Sequence, residues 1–128
     1  MSDPGFALQQ AIYQRLTAEL SVPVFDAVPM DTPYPYVTLD SEHSVNATPI
    51  SGRQRETRLL YLSVWSDYQG QAEVKRILGE LHAALNERPL PLAIGRAVSV
   101  RVQTARSNRE PDGRTYMGSM TVRVITTH

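Results

Sequence analysis

No cysteine occurs in the 128 residues, so no disulfide staples the chain, and thiolate nucleophiles, zinc ribbons and iron–sulfur clusters are excluded. Histidine is almost as scarce. His43, His82 and His128 stand at no metal-ligand spacing, and neither an HExxH helix motif nor a nucleophile elbow occurs. The run Asp40-Ser41-Glu42-His43 imitates a catalytic triad only on paper, because neighbours along a strand point to alternate faces. Gly-rich phosphate cradles of the GxGxxG or GxxxxGK(S/T) type are missing too. The first residues, Met-Ser-Asp-Pro-Gly-Phe, lack the basic flank and apolar run of a signal peptide, and no later segment is apolar for long enough to span a bilayer. The expectation is a soluble protein with no catalytic residues, metal or cofactor, made in the cytosol and kept or assembled there.

Net charge is zero and lysine appears once against twelve arginines, yet the charge is unevenly spread. Residues 1 to 52 hold one base, Arg15, against six acids, a net of −5; from Arg88 to the end seven arginines face only Glu110 and Asp112, a net of +5. Such halves either interleave in space and cancel, or form the unlike patches that head-to-tail self-association uses.

A chain of this length fits one domain, residues 1–128, with a single core. The clearest element is a helix that opens after Gly70, in which Val74, Ile77, Leu78, Leu81 and Leu85 fall at i, i+3, i+4, i+7 and i+11, one apolar stripe. Burying five such side chains contributes roughly 7–15 kcal/mol as an upper bound. The turn Ser66-Asp67-Tyr68-Gln69-Gly70 separates this helix from a strand, Glu56 to Ser66, with Leu60, Leu62 and Val64 on one face and Leu59, Tyr61 and Trp65 on the other. Two apolar faces imply that both are covered, at least in an assembly. Trp65 reads as packing against the second helix.

An N-terminal helix from Pro4 to Leu20 repeats Leu8, Ile12, Leu16 and Leu20, with Asp3 as its cap and Pro23 ending it. Strands are predicted at Val24–Val28, Tyr36–Val45, Ala97–Ala105 and Thr115–Thr126, the third with Val98, Val100 and Val102 inward. The polar segments Val45 to Arg55 and Arg106 to Arg114 read as protruding loops, the second holding the turn signal Pro111-Asp112-Gly113. The fold class is therefore α+β: an antiparallel or mixed sheet of about four to five strands with two helices packed on one face. The arginines of these loops suit carboxylate pairing across a protein interface better than nucleic acid, given the zero net charge. Candidate interface residues are Arg53, Arg55, Arg58, Arg106, Arg109 and Arg114.

The succession of a leucine-spaced helix, Val24-Phe25-Asp26-Ala27-Val28-Pro29, Pro33-Tyr34-Pro35-Tyr36-Val37-Thr38-Leu39 and Leu60-Tyr61-Leu62-Ser63-Val64-Trp65-Ser66, with Gly70 opening a helix, covers nearly the whole chain. It resembles the tail-completion, or tail-terminator, proteins of long-tailed phages and phage-like gene transfer particles. The resemblance implies a structural protein of the virion, at the head-proximal end of the tail, assembled in the bacterial cytoplasm. It implies a homo-oligomeric ring, usually a hexamer, that caps the tail tube, stops its growth and meets the head connector or stopper. DNA would only pass through the lumen, and no membrane is involved. A stopper or adaptor one layer nearer the head is the alternative among assembly proteins. A small-ligand-binding α+β domain is the alternative of another class, and needs convergent polar groups that the inward valines do not supply.

Overall fold

A computed structural model describes residues 5–46, 48, 52 and 54–127. Its elements are α1 (Gly5–Glu19), β1 (Val24–Phe25), β2 (Tyr36–Asn46), β3 (Arg55–Ser66), α2 (Ala72–Leu85), β4 (Arg96–Arg109) and β5 (Tyr116–Thr127). The strands form one mixed sheet in the order β1-β2-β3-β5-β4, in which β1 runs parallel to β2 and every other pairing is antiparallel. The α+β class and the two helices on one face agree with the sequence. The cap assigned to Asp3 and Pro4 lies outside the described residues.

The stripe of α2 is the centre of the core: Val74, Ile77 and Leu81 are wholly inaccessible and Leu85 nearly so. It lies on the sheet face that carries Leu60, Leu62, Val64, Met120, Val122 and Val124, and α1 adds Leu8, Ile12 and Leu16 to the same cluster. Ser66 starts the turn into α2 by donating to Glu73 Oε1 at 2.5 Å while its Oγ accepts from the Tyr68 N–H at 3.0 Å, and Gly70 takes the left-handed conformation that closes it. The Arg15 guanidinium fastens the helices together by donating to the carbonyls of Ala84 and Pro89 at 3.0 and 2.7 Å, where the last carbonyls of α2 lack helical partners.

Helix and sheet meet most closely at Gly118. A Cβ there would stand 2.7 Å from Val74 Cγ1 and 3.1 Å from Leu78 Cδ1, and Val74, being β-branched, has no free rotamer to withdraw into. Gly118→Ala is therefore expected to lower the unfolding free energy by about 1–3 kcal/mol. Urea denaturation checks this, and an unchanged midpoint would show that α2 can lift off the sheet at no cost.

Several boundaries and orientations differ from the sequence reading. Strand pairing reaches into the ends of both predicted loops: β2 and β3 stay paired out to Asn46 and Glu56, and β4 runs on to Arg109. Polar residues form these extensions because cross-strand hydrogen bonds, not burial, hold them. Residues 47, 49–51 and 53 fall outside the described set. Val98 is half exposed rather than inward, since a bulge between Ala97 and Ser99 inserts it as an unpaired extra residue. Trp65 lies on the face away from α2, where its Nε1–H donates to Thr38 Oγ1 at 3.4 Å.

Candidate assembly surface

Both helices cover the same face, so among the described residues the other face of the sheet is bare in the single subunit. Register places its side chains in rows across the strands. His43, Leu59, Arg123 and Arg101 form one row, Ser41, Tyr61, Thr121 and Thr104 the next, and Thr38, Ser63, Ser119 and Arg106 a third. At one end Arg55 and Arg96 flank Thr127 from either side. Five arginines thus share this face: Arg55, Arg96, Arg101, Arg106 and Arg123, all exposed.

Little within the subunit neutralises them. Arg101 approaches Glu87 at 3.5 Å, with both side chains more than 60% exposed, a pairing that water largely screens. The carboxylate on the face, Asp40, protrudes at a bulge between Leu39 and Ser41 and is engaged: Thr38 Oγ1 donates to it at 2.7 Å and Ser63 Oγ donates to its other oxygen. Asp40 and Arg106 line one shallow depression together with Tyr61, Ser63 and Ser119. A second cleft, of about 220 Å³, opens at the β1/β2 edge beside α1, where Asp26, Asp40 and Glu42 share the lining with Gln9 and Ile12. No group of His, Asp or Glu among the described residues is disposed to hold a metal ion.

Of the arginines predicted for an interface, Arg55 and Arg106 lie on this bare face, and Arg109 and Arg114 are exposed at and beside the β4–β5 turn. Arg53 lies outside the described residues. Arg58 is elsewhere: it is on the helix face, 2% exposed, where Nη1 donates to Glu42 at 2.6 Å, Nη2 to Glu56 at 2.7 Å and Nε to Thr126 Oγ1 at 3.1 Å. Its guanidinium binds β2, β3 and β5 together and offers no open surface to a partner. Sequence reasoning missed Arg96, Arg101 and Arg123. Arg101 and Arg123 alternate with valines and so announce an outward face, but only the register shows that they are opposite each other.

The β4–β5 turn has its own bracing. The Asp112 carboxylate accepts from the N–H groups of Arg114 and Thr115 at 2.8 and 2.9 Å and from Thr115 Oγ1 at 2.8 Å, and the Thr115 and Arg114 N–H groups in particular hold it below the usual carboxylate range. The β2–β3 end is drawn together by Thr48, whose Oγ1 accepts from the Arg55 N–H at 3.0 Å.

Comparison with known proteins fits a surface built for assembly. No curated protein matches the sequence. Among solved structures, a chain of the virion of a native gene transfer agent particle has the same fold, with a TM-score of 0.89, 22% identity and complete coverage of both chains. The family model for tail completion protein gp17 matches residues 10–127. That span takes in every strand, all of α2 and most of α1, so the chain belongs to the tail completion protein gp17 family, structural proteins of phage-type tails.

Proposed function

We propose that this chain acts as a tail terminator: copies close into a ring, hexameric by resemblance to its family, that caps the tail tube, stops its polymerisation and joins the tail to the head connector. The observation that carries the reading is the placement of the two hairpin ends. β3 pairs antiparallel with β5 from Arg55↔Thr127 to Ser66↔Tyr116, so the β2–β3 end, at Arg55, and the β4–β5 turn lie at opposite ends of a twelve-residue strand, roughly 37 Å apart at the rise of an antiparallel strand. A subunit with a contact tip at each end can touch two layers at once, one the tube and the other the connector. Arg109 and Arg114 supply charge at one tip, and Arg55 stands at the base of the other. Capping needs no turnover. The next tube ring cannot stack once its surface is covered, and DNA meets the protein only in passing through the lumen.

Deleting the protein from particle-producing cells tests this. Tubes of uncontrolled length that fail to join heads are expected in electron micrographs. Tails of normal length on filled heads would overturn the reading, and tails of normal length beside leaking or unattached heads would favour a stopper or adaptor one layer nearer the head.

A further inference from the structure

We propose that the bare, arginine-bearing face of the sheet is the seat on which the next copy of this chain lays its acidic β1/β2 flank. The inference rests on the ring reading above and names its lateral contact.

The face is unfinished in the isolated subunit. Leu59, Tyr61, Trp65 and Ile125 lie on it half-buried, with no layer of the described residues above them. Its charge is unfinished as well. Arg123 and Arg101 are direct cross-strand neighbours, and Arg55 and Arg96 bracket one threonine; like charges in such positions repel, and an external anionic surface relieves all of them at once.

The matching acid is on the same chain and out of its own reach. Asp26, at the end of β1, and Asp31, in the turn that follows, are exposed and have no partner among the described residues, and they belong to the half of the sequence with a net charge of −5. Sheet order resolves the question that the sequence leaves open: the acidic half forms the β1/β2 edge and the basic half the β4 edge. Within the subunit Arg88 pairs with Glu19 at 2.5 Å and Arg58 with Glu42 at 2.6 Å, but four strand spacings, roughly 19 Å, separate the β1 and β4 edges, so Asp26 does not meet the arginines of β4 in one subunit, whereas a neighbour's flank can. A net charge of zero per subunit is then a property of the contact as well as of the chain. Nucleic acid would satisfy the arginines but leave the acidic flank unmatched.

Strand addition at the β4 edge is disfavoured. The Glu87 N–H already donates to the Val100 carbonyl at 2.7 Å, Asn86 Oδ1 accepts from the Val102 N–H at 2.9 Å, and two bulges interrupt the same strand, features that keep an edge from pairing. The contact therefore uses the face. Face against flank is heterologous, the kind of interface that closes a ring.

The test uses two variants of the full chain, Arg101→Glu/Arg123→Glu with a reversed face and Asp26→Arg/Asp31→Arg with a reversed flank. Mass is read by light scattering on protein alone and bound to purified tail tubes, and circular dichroism verifies that both variants stay folded. Each variant by itself is expected to self-associate at least about tenfold more weakly than the natural chain. An equimolar mixture should regain the ring, because reversed face meets reversed flank and natural face meets natural flank when the two alternate around an even-membered ring. Variants that assemble as well as the natural chain would overturn this interface while leaving the ring intact. A natural chain that stays monomeric both alone and on tubes would overturn the ring reading and this proposal together. If the face variant instead keeps its mass but loses retention on duplex DNA that the natural chain shows, the face serves nucleic acid and the proposal fails.

Discussion

Replacing Arg58 with alanine should lower the unfolding free energy by about 3 kcal/mol, toward the lower end of the cost of breaking a buried ion pair. The guanidinium is 2% exposed and spans Glu42 on β2, Glu56 on β3 and Thr126 on β5. Removing it leaves two carboxylates close together without a counter-charge. Their side chains are 27% and 19% exposed, so water relieves part of the penalty. Arg58→Lys keeps the charge but not the fork that reaches three strands, and should lose less than the alanine variant. The diagnostic comparison is Arg58→Ala combined with Glu42→Gln and Glu56→Gln, which should recover part of the loss because no uncompensated charge remains. Chemical denaturation reads all three. A loss below half a kilocalorie for Arg58→Ala would mean that the outer half of the sheet is held by its backbone ladder alone.

Leu81→Ala is expected to cost about 2–5 kcal/mol, the range for deleting a buried leucine side chain. Leu81 is wholly inaccessible, in the middle of the stripe that α2 lays on the sheet. A cavity there touches both helices and sheet, and the closeness of Gly118 to Val74 and Leu78 limits how far the helix can settle to fill it. The denaturation midpoint should fall with an unchanged slope.

What could be read from sequence depended on whether a residue's environment is set by its own element or by another. The α2 stripe needs only the helical period, and all five of its residues are buried. Strand alternation likewise puts Leu60, Leu62 and Val64 on one face, and the helices show that it is the buried one. Arg58 is in phase with those three, and that phase is the available signal that it faces the core; its polar neighbours at the start of the strand group it instead with the exposed interface arginines. Val98 could not have been read correctly, because bulges follow from how two strands fit together, and neither strand encodes the bulge alone. Trp65 is on the face that alternation gives it, but its packing against the second helix does not hold for a related reason: an aromatic residue can pack on either side of a sheet, and only the placement of the helices decides which side is covered. The candidate surface was half legible. Arg55 and Arg106 were recognised as interface candidates, whereas Arg96, Arg101 and Arg123 acquire meaning only as cross-strand neighbours. The charge split was visible at once, but its consequence waited on strand order, which puts acid and base on opposite edges.

On the reading proposed above, the two hairpin ends at opposite ends of the sheet would meet axial partners, and the unlike charge on its two edges would meet identical copies at the sides. The most direct measurement is electron microscopy of the purified protein mixed with growing tail tubes. The account predicts a discrete ring at one end of each tube and no further lengthening there once it has bound. Tubes that continue to lengthen at the same rate with the protein present in excess, or protein scattered along their sides with the ends bare, would contradict it.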